Sequence, residues 1–343
     1  WKERKNEEDI DALTHAMKLY YRDKDAFMTE YMNLPARMNQ TVSARGIDTS
    51  HLLAGLSKIP MNTVVPGDDM LTAFIDVHQR LLYYSVYAWN KTNETGRLVD
   101  FGTYPPQEGI DFNMDNAKTT LTSIAPWNTF EENLTEGLTY LLNDIINRRY
   151  ETEEDTVVPL ARIMVDCNWA ETTDLCYRII KSMKNPIITP SHGQYQSARN
   201  KNKFTPKDGD RFGQGWIMPK KVKDSLRYVR YDTNQFKTAW QRRSSAPPNA
   251  RGSIVLTGDD RILTNYLLHL QAEECDTIYV NGKEVQEWVQ KPKRPDNHWL
   301  DTAVGCLVGA YIEGLTGMNN PKQGRISNVY TRLRQKGTVI SRK

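Results

Sequence analysis

The sequence predicts an α/β domain in which helices flank one mixed β-sheet. Short runs rich in β-branched and aromatic residues alternate with longer segments whose apolar residues recur at helical spacing. The first three β-type runs are separated by only a few residues, which indicates antiparallel pairing. Later runs are separated by helical segments that can return the chain in parallel. The succession is therefore three strands, a helix, a strand, a helix and a strand.

This succession is the one found in RNase H-like α/β folds, whose later strands join the first strand in parallel through helical crossovers. We expect an N-terminal helical linker at 1–65, the RNase H-like domain with a basic insertion at 66–317, and a flexible basic tail at 318–343. The predicted core consists of strands at 71–77, 81–89, 96–104, 160–166 and 186–189, with helices at 130–149 and 172–184.

The second half of the domain continues with mixed elements. Asn281-Gly282 lies between two β-prone runs and is a strong type I′ turn signal, which predicts a hairpin over 276–290. The other elements predicted here are strands within 216–231 and helices at 233–243, 262–273 and 297–315.

Composition excludes several classes of protein. The chain has 343 residues, of which 39% are hydrophobic and 25% charged, as in a globular protein with a substantial core. This excludes a disordered tail, a collagen-like rod and a small disulfide scaffold. Because no apolar run approaches the roughly 18 residues of a membrane span, no membrane association is expected. Four scattered cysteines without a CxxC pair indicate a reducing intracellular compartment and no structural zinc site.

Positive charge is concentrated in two regions, although the formal net charge is only +3. Residues 181–251 contain 16 Lys/Arg and four acids, and residues 318–343 contain seven Lys/Arg and no acid. Cations interleaved with aromatic residues are typical of a groove that follows a nucleic-acid backbone, and a solvated surface is the simpler alternative. The candidate DNA contacts are Lys220, Lys221, Lys223, Arg227, Arg230, Lys237, Arg242 and Arg243.

Three aspartates occupy the positions that a metal-dependent nuclease requires. Asp76 and Asp166 close two predicted parallel strands, whose carboxyl ends meet at one crevice. Asp301 lies near the start of the last helix, and Gly305 and Gly309 on the same face allow that helix to approach the sheet closely. Clustered carboxylates are costly unless a cation neutralises them, and hard divalent cations prefer oxygen ligands. A single aspartate after a strand is more often a turn or cap residue, so the prediction depends on all three together.

Four further residues are candidates for auxiliary roles. His78 lies two residues beyond Asp76 and points to the same side of its strand. His78, His192 and His298 could transfer a proton or contact a phosphate, or could be ordinary structural residues. Asp296 is expected to cap the last helix rather than to bind metal.

Three segments in this order resemble the nuclease domain of tailed-phage terminase large subunits, and are most similar to the lambda-type branch. They are 71–79, 163–169 and 295–301, and the resemblance extends over roughly residues 20 to 317. Carried over position by position, Asp76, Asp166 and Asp301 match the metal-binding acids of that family. His78 and the residues after Asp166 (Cys167 to Trp169) differ from the residues that are most common at these positions in the family.

The resemblance implies a metal-dependent endonuclease that cuts concatemeric double-stranded DNA with two Mg²⁺ or Mn²⁺ ions. Asp76 would bridge both ions, with Asp166 and Asp301 each completing one coordination shell. The expected partners are the DNA, a portal protein and a small terminase subunit, in the cytoplasm of an infected host. Because the sequence contains no GxxxxGK[ST] loop, we expect no ATPase activity from this chain.

Two alternatives remain open from the sequence. One is an RNase H-like module that binds DNA or the portal without cutting. The other is a different RNase H-like nuclease, such as a transposase or a resolvase.

Overall fold

The computed structural model describes residues 46–109, 111–152, 154–196, 205–221, 225–280, 283–293, 295–315 and 324–325. All of these belong to one compact unit, Gly46–Lys343. Residues 1–45 of the predicted linker, the predicted Asn281-Gly282 turn, Lys223 and nearly all of the predicted basic tail lie outside the described residues. The predicted domain boundaries stay predictions.

The strands form a mixed sheet whose centre has the predicted topology. They are β1 (Met70–Val77), β2 (Leu82–Asn90), β3 (Thr95–Tyr104), β4 (Leu160–Asp166), β5 (Ile188–Gln194), β6 (Arg211–Gly213), β7 (Trp216–Met218), β8 (Val229–Asp232), β9 (Ile254–Val255), β10 (Glu273–Val280), β11 (Lys283–Gln290) and β12 (Gly324–Arg325). Over the described residues the sheet order is β12-β6-β7-β8-β5-β4-β1-β2-β3-β9, and β10 and β11 form a separate antiparallel pair.

The RNase H-like fold is confirmed by the pairing directions at the centre of this sheet. β1, β2 and β3 form an antiparallel meander, while β4 pairs parallel to β1 and β5 pairs parallel to β4. β8 then continues the parallel series beside β5. The carboxyl ends of β1, β4, β5 and β8 consequently meet at one edge of the sheet.

Helices cover both faces of the sheet. They are α1 (Thr49–Ala54), α2 (Leu121–Ile124), α3 (Phe130–Asn147), α4 (Thr173–Met183), α5 (Thr233–Ser244), α6 (Asp260–Leu270) and α7 (His298–Ile312). Most predicted elements are confirmed to within a few residues. The helix predicted at 262–273 ends earlier than expected, because α6 is capped at Gln271. Glu273 instead begins β10, where it pairs with Gln290 of β11.

Side-chain alternation in the central strands decides which face receives the acids. Leu71 and Ile75 of β1 pack with α3 and α4, whereas Phe74 packs on the opposite face, in the core that contains α5, α6 and α7. Because strand residues alternate with a period of two, Asp76 shares the face of Phe74. Asp166 shares that face with Met164 for the same reason, and Phe74 pairs with Met164 across the two strands. Both acids therefore face α7.

Two glycines set the distance between α7 and the sheet. A Cβ on Gly305 would lie 1.9 Å from Cδ2 of Phe74, and one on Gly309 would lie 3.3 Å from Cβ of Thr72. The Thr72 hydroxyl donates a hydrogen bond to the carbonyl oxygen of Cys306 at 2.8 Å. The predicted role of these glycines in close packing is thereby confirmed, and Asp301 lies one turn before Gly305 on the same helix.

We expect Gly305→Ala to lower the free energy of unfolding by about 1–3 kcal/mol, because the added methyl group forces α7 away from Phe74. Gly309→Ala is the matched control and should cost less, since its methyl group would lie 3.3 Å from Cβ of Thr72, which requires a shift of only a few tenths of an ångström. Urea denaturation of both variants checks this. Equal stability of Gly305→Ala and wild type would contradict the packing argument.

Candidate metal centre

The fold brings the three predicted aspartates into one pocket. Asp76 is the penultimate residue of β1, Asp166 is the last residue of β4 and Asp301 lies in the first turn of α7. Ile75 pairs with Val165, so the next residue of each strand, Asp76 and Asp166, falls side by side. Burial raises the pKa of Asp166 to about 8, and repulsion from Asp76 and Asp301 adds to the effect. The three carboxylates are therefore within electrostatic range of one another.

Asp76 is held by two histidines. His78 Nε2 and His298 Nδ1 each lie 3.0 Å from Oδ2 of the Asp76 carboxylate. The two imidazole rings are 4.0 Å apart between centroids, and Tyr83 stacks on His298. Burial opposes ionisation of Asp76, but the positive charge of His78 and the hydrogen bonds from both histidines outweigh it and hold the pKa of Asp76 below its usual range.

The pKa of His78 moves in the opposite direction. Burial works against the imidazolium, yet the negative charges of Asp76, Asp166 and Asp301 raise the pKa of His78 to about 9. The raised pKa of His78 therefore reflects an excess of negative charge in the pocket. The same excess attracts a metal cation.

Asp301 lies at the other end of the pocket, beside residues that the sequence did not connect with the aspartates. Lys237 Nζ is 2.9 Å from Oδ1 of Asp301 and 2.6 Å from Oε1 of Glu273. Asn297 Nδ2 is 3.1 Å from Oδ2 of Asp301 and 2.6 Å from Oε1 of Glu273. Burial raises the pKa of Asp301, and the charge of Lys237 offsets part of that rise.

His192 belongs to a network next to Asp166. Its Nε2 lies 2.9 Å from the Tyr177 hydroxyl and its Nδ1 lies 3.3 Å from Oδ1 of Asn168. The Asn168 amide nitrogen donates to the carbonyl oxygen of Gly193, so its oxygen is left to accept from His192. Burial and the positive charge of Arg230 lower the pKa of His192. A neutral ring with hydrogen on Nδ1 follows.

The predicted DNA contacts divide into two groups. Lys220, Lys221 and Arg242 are exposed, and Arg227 and Arg230 are half-buried. The Nε atoms of Arg227 and Arg230 are buried without an acceptor among the described residues.

Two of the predicted basic contacts are wrong. Lys237 and Arg243 are buried and bond to the protein itself, so they do not belong to an exposed basic surface. Arg243 donates to the carbonyl oxygen of Glu94 at 2.6 Å and lies 3.2 Å from the Tyr311 hydroxyl.

The predicted helix cap at Asp296 is also wrong. Asn297 occupies the N-cap position of α7, without a side-chain capping bond. The Asp296 carboxylate instead accepts a hydrogen bond from the backbone N–H of Met114 at 2.6 Å, which ties the loop before α2 to the start of α7.

The donor atoms around Asp76 fit a divalent metal ion. One ligand atom from each of Asp76, His78 and His298 lies within 4.8 Å of the others. Carboxylate oxygens suit Mg²⁺ and Mn²⁺, and imidazole nitrogens favour Mn²⁺ and other transition metals over Mg²⁺. The sequence indicated His78 and His298 because they lie close to Asp76 and Asp301 along the chain. It did not show that both contact the same oxygen of the Asp76 carboxylate.

Fold and site together define a class of protein, the RNase H-like α/β domains with an acidic pocket at the carboxyl ends of the central strands. Residues 16–322 match the family described as terminase large subunit gpA, endonuclease domain, and this chain belongs to that family. No curated protein sequence matches the chain significantly. Among the described residues, none of the helices has the length and apolar character of a membrane span.

Two solved structures are similar to the chain. The large terminase nuclease from the thermophilic phage G20c aligns with a TM-score of 0.36 and 9% identity, over 75% of this chain and 95% of that chain. The g2p (large terminase) nuclease domain from the bacteriophage SPP1 with bound Mn aligns with a TM-score of 0.31 and 12% identity, over 75% of this chain and 97% of that chain.

We expect the affinity for Mn²⁺ to rise as the pH increases through about 8, because Asp166 must lose a proton before it can bind a cation. Deprotonation of His78 should also raise the affinity for Mn²⁺ as the pH increases, since the pKa of His78 is raised to about 9 and only the neutral ring can be a ligand. Calorimetric titration in buffers of different ionisation enthalpy should show proton release on binding. Asp166→Asn is the control that reduces this release, and an affinity independent of pH would contradict the expectation.

Proposed function

We propose that this domain is a divalent-metal-dependent endodeoxyribonuclease that cuts concatemeric double-stranded DNA during viral genome packaging. The observation that carries the proposal is the convergence of Asp76, Asp166 and Asp301, with two histidines, at the carboxyl edge of the parallel strands. Membership of the terminase endonuclease family supports it.

The metal would be held by the carboxylates of Asp76, Asp166 and Asp301, with His78 and His298 as further donors on the Asp76 side. Two Mg²⁺ or Mn²⁺ ions supply a nucleophilic water at neutral pH and charge stabilisation for the leaving 3′ oxygen. Because imidazole donors adjoin Asp76, we expect Mn²⁺ to support cleavage better than Mg²⁺.

The chain's own residues position the DNA strand. Half-buried Arg227 and Arg230 supply positive charge for phosphate oxygens, and Arg230 pairs in register with His192 between β8 and β5. The Tyr177–His192–Asn168 network, which adjoins Asp166 through the Asn168 backbone N–H, supports a contact between the His192 imidazole and the phosphodiester. Exposed Lys220, Lys221 and Arg242 extend positive charge beyond the pocket, which predicts an affinity for DNA that falls as salt rises.

Cleavage would take place in the cytoplasm of the host, where the domain meets DNA concatemers. The portal protein and the small terminase subunit are the partners we propose. Selection of the cut site is assigned to the small subunit, since no helix-turn-helix or zinc-finger pattern is visible in this sequence.

We expect Asp76→Asn to reduce Mn²⁺-dependent nicking of supercoiled plasmid by roughly 1,000-fold or more, because the carboxylate shared by both histidines is lost. Asp174→Asn is the matched control, since Asp174 is an exposed aspartate in the first turn of α4. Agarose gel electrophoresis follows the conversion to open-circular DNA. A wild-type protein that binds DNA but does not nick it would favour the alternative of a non-catalytic binding module.

A further inference from the structure

Two arginines contact the end of α7 that is remote from the metal centre. Nε of Arg162, in β4, lies 2.7 Å from Oε1 of Glu313, the residue that caps α7. Nη2 of Arg211, the first residue of β6, lies 3.5 Å from the carbonyl oxygen of Ile312, the last residue of α7. Because Asp301 and Glu313 are twelve positions apart, this end of α7 lies about 18 Å from the metal centre.

A third arginine, Arg227, lies in the loop before β8 and close to the other two. Burial lowers the pKa of Arg162, and Glu313 offsets part of that shift. The positive charges of Arg211 and Arg227 lower the pKa of Arg162 further. Within the part of the chain that the structure describes, Glu313 is the only carboxylate in contact with these three guanidinium groups. Positive charge is therefore left uncompensated here.

The strand registers bring two exposed lysines to the same end of the sheet. β7 runs antiparallel to β8, so the chain beyond Met218 continues towards the end at which β8 begins. Arg211 pairs with Met218 and lies at that end as well. Lys220 and Lys221 follow and are exposed. The basic cluster consists of five cations, Arg162, Arg211, Lys220, Lys221 and Arg227.

The charge of the basic cluster is not balanced by acids nearby. Asp210 is buried next to Arg211, and its carboxylate accepts two backbone N–H groups at 2.8 Å. Asp208 and Lys207 in the same turn are exposed and carry opposite charges. With Asp210 and Glu313 as the remaining carboxylates, the five cations leave a surplus of three positive charges among the described residues.

Stabilisation of the helix end accounts for only part of this cluster. Cations favour the C-terminal end of a helix because of its negative partial charge. The last carbonyl oxygens of α7 already accept backbone N–H groups, in the pairs Glu313 to Gly309, Gly314 to Tyr311 and Leu315 to Ala310. Arg211 adds one long contact there, and none of the described contacts joins Arg227 to the helix. The surplus suits a phosphate, which guanidinium groups bind through paired N–H bonds.

We propose that Arg211 and Arg227, beside the fixed charge of Arg162, bind a backbone phosphate of duplex DNA at the end of α7 opposite the metal centre. Lys220 and Lys221 flank this contact. The inference rests on the proposed function for the identity of the ligand, but not on cleavage. A duplex is favoured over an acidic protein because DNA is cut at the other end of the same helix and is long enough to reach both ends. Each strand carries one phosphate per about 3.4 Å of helix axis, so the two contacts lie about five base pairs apart.

The test is the salt dependence of DNA binding by the full chain, measured by fluorescence anisotropy with a labelled duplex in EDTA, where cleavage plays no part. Arg211→Met/Arg227→Met should weaken binding by about 10-fold at about 0.1 M salt and make the slope of log K against log salt concentration shallower by about 1–2. Arg227→Lys keeps the charge and should keep the slope. Arg149→Met/Arg178→Met is the matched control, because it removes two exposed arginines from other surfaces and should leave affinity and slope unchanged.

A gain of affinity separates the proposal from misfolding. Glu313→Gln removes the carboxylate that contacts Arg162 and should strengthen binding of the duplex by about 3–10-fold, an effect that a misfolded chain cannot produce. Hydroxyl-radical footprints should show that Arg211→Met/Arg227→Met loses one patch of protected sugars and keeps the rest.

Unchanged affinity and slope in the double variant, an equal loss in the control pair, or no gain in Glu313→Gln would each overturn the inference. So would a double variant that binds the duplex normally but has lost affinity for inorganic pyrophosphate or polyglutamate, which would assign the cluster to a small phosphate or to an acidic protein. Plasmid nicking with Mn²⁺ is measured separately. A wild type that binds DNA through this cluster but does not nick it contradicts the nuclease function alone, and a wild type that nicks while the double variant binds normally contradicts this inference alone.

Discussion

Mutual repulsion among buried carboxylates is the constraint on which this structure depends. Asp76, Asp166, Asp301 and Glu273 converge in one part of the interior, and burial works against the charged form of the three aspartates by raising their pKa values. Different partners compensate the carboxylates at the two ends of the site. Two imidazoles contact Asp76, and the Lys237 ammonium contacts Asp301 and Glu273. Asp166 lies between them with a pKa raised to about 8 and a backbone N–H as its hydrogen-bond partner. A cation at this point would relieve the remaining repulsion.

The rest of the fold maintains that arrangement. Parallel pairing of β1 with β4 fixes the lateral spacing of Asp76 and Asp166, and strand alternation turns both towards α7. The close approach of α7 at Gly305 then fixes the height of Asp301 and His298 above the sheet. Each step uses ordinary packing, so the buried core beneath the site holds these side chains in position.

The sequence predicted the sheet and the three aspartates because both depend on local patterns. Strand ends, helix periodicity and the short gaps of the meander are visible within windows of a few residues, and an acid at a strand end is visible too. The partners of those acids are not local. Lys237 meets Glu273 and Asp301 from 36 and 64 positions away, and a lysine in a basic region is ordinarily taken for a surface cation.

Asp296 shows why the remaining error arose. Adjacent Asp296 and Asn297 can both cap a helix, and the sequence cannot show that the carboxylate is already used by Met114 in a distant loop. The Asn297 side chain is likewise engaged with Glu273 and Asp301, so α7 begins without a side-chain cap. Requirements of the site have overridden the local preference of the helix terminus.

The most direct test of the central claim is a crystal soaked in Mn²⁺ and recorded at a wavelength where manganese scatters anomalously. The account predicts an anomalous peak among the side chains of Asp76, Asp166 and His298. Peaks confined to other parts of the molecule, or carboxylates of Asp76 and Asp166 that point away from each other, would contradict it.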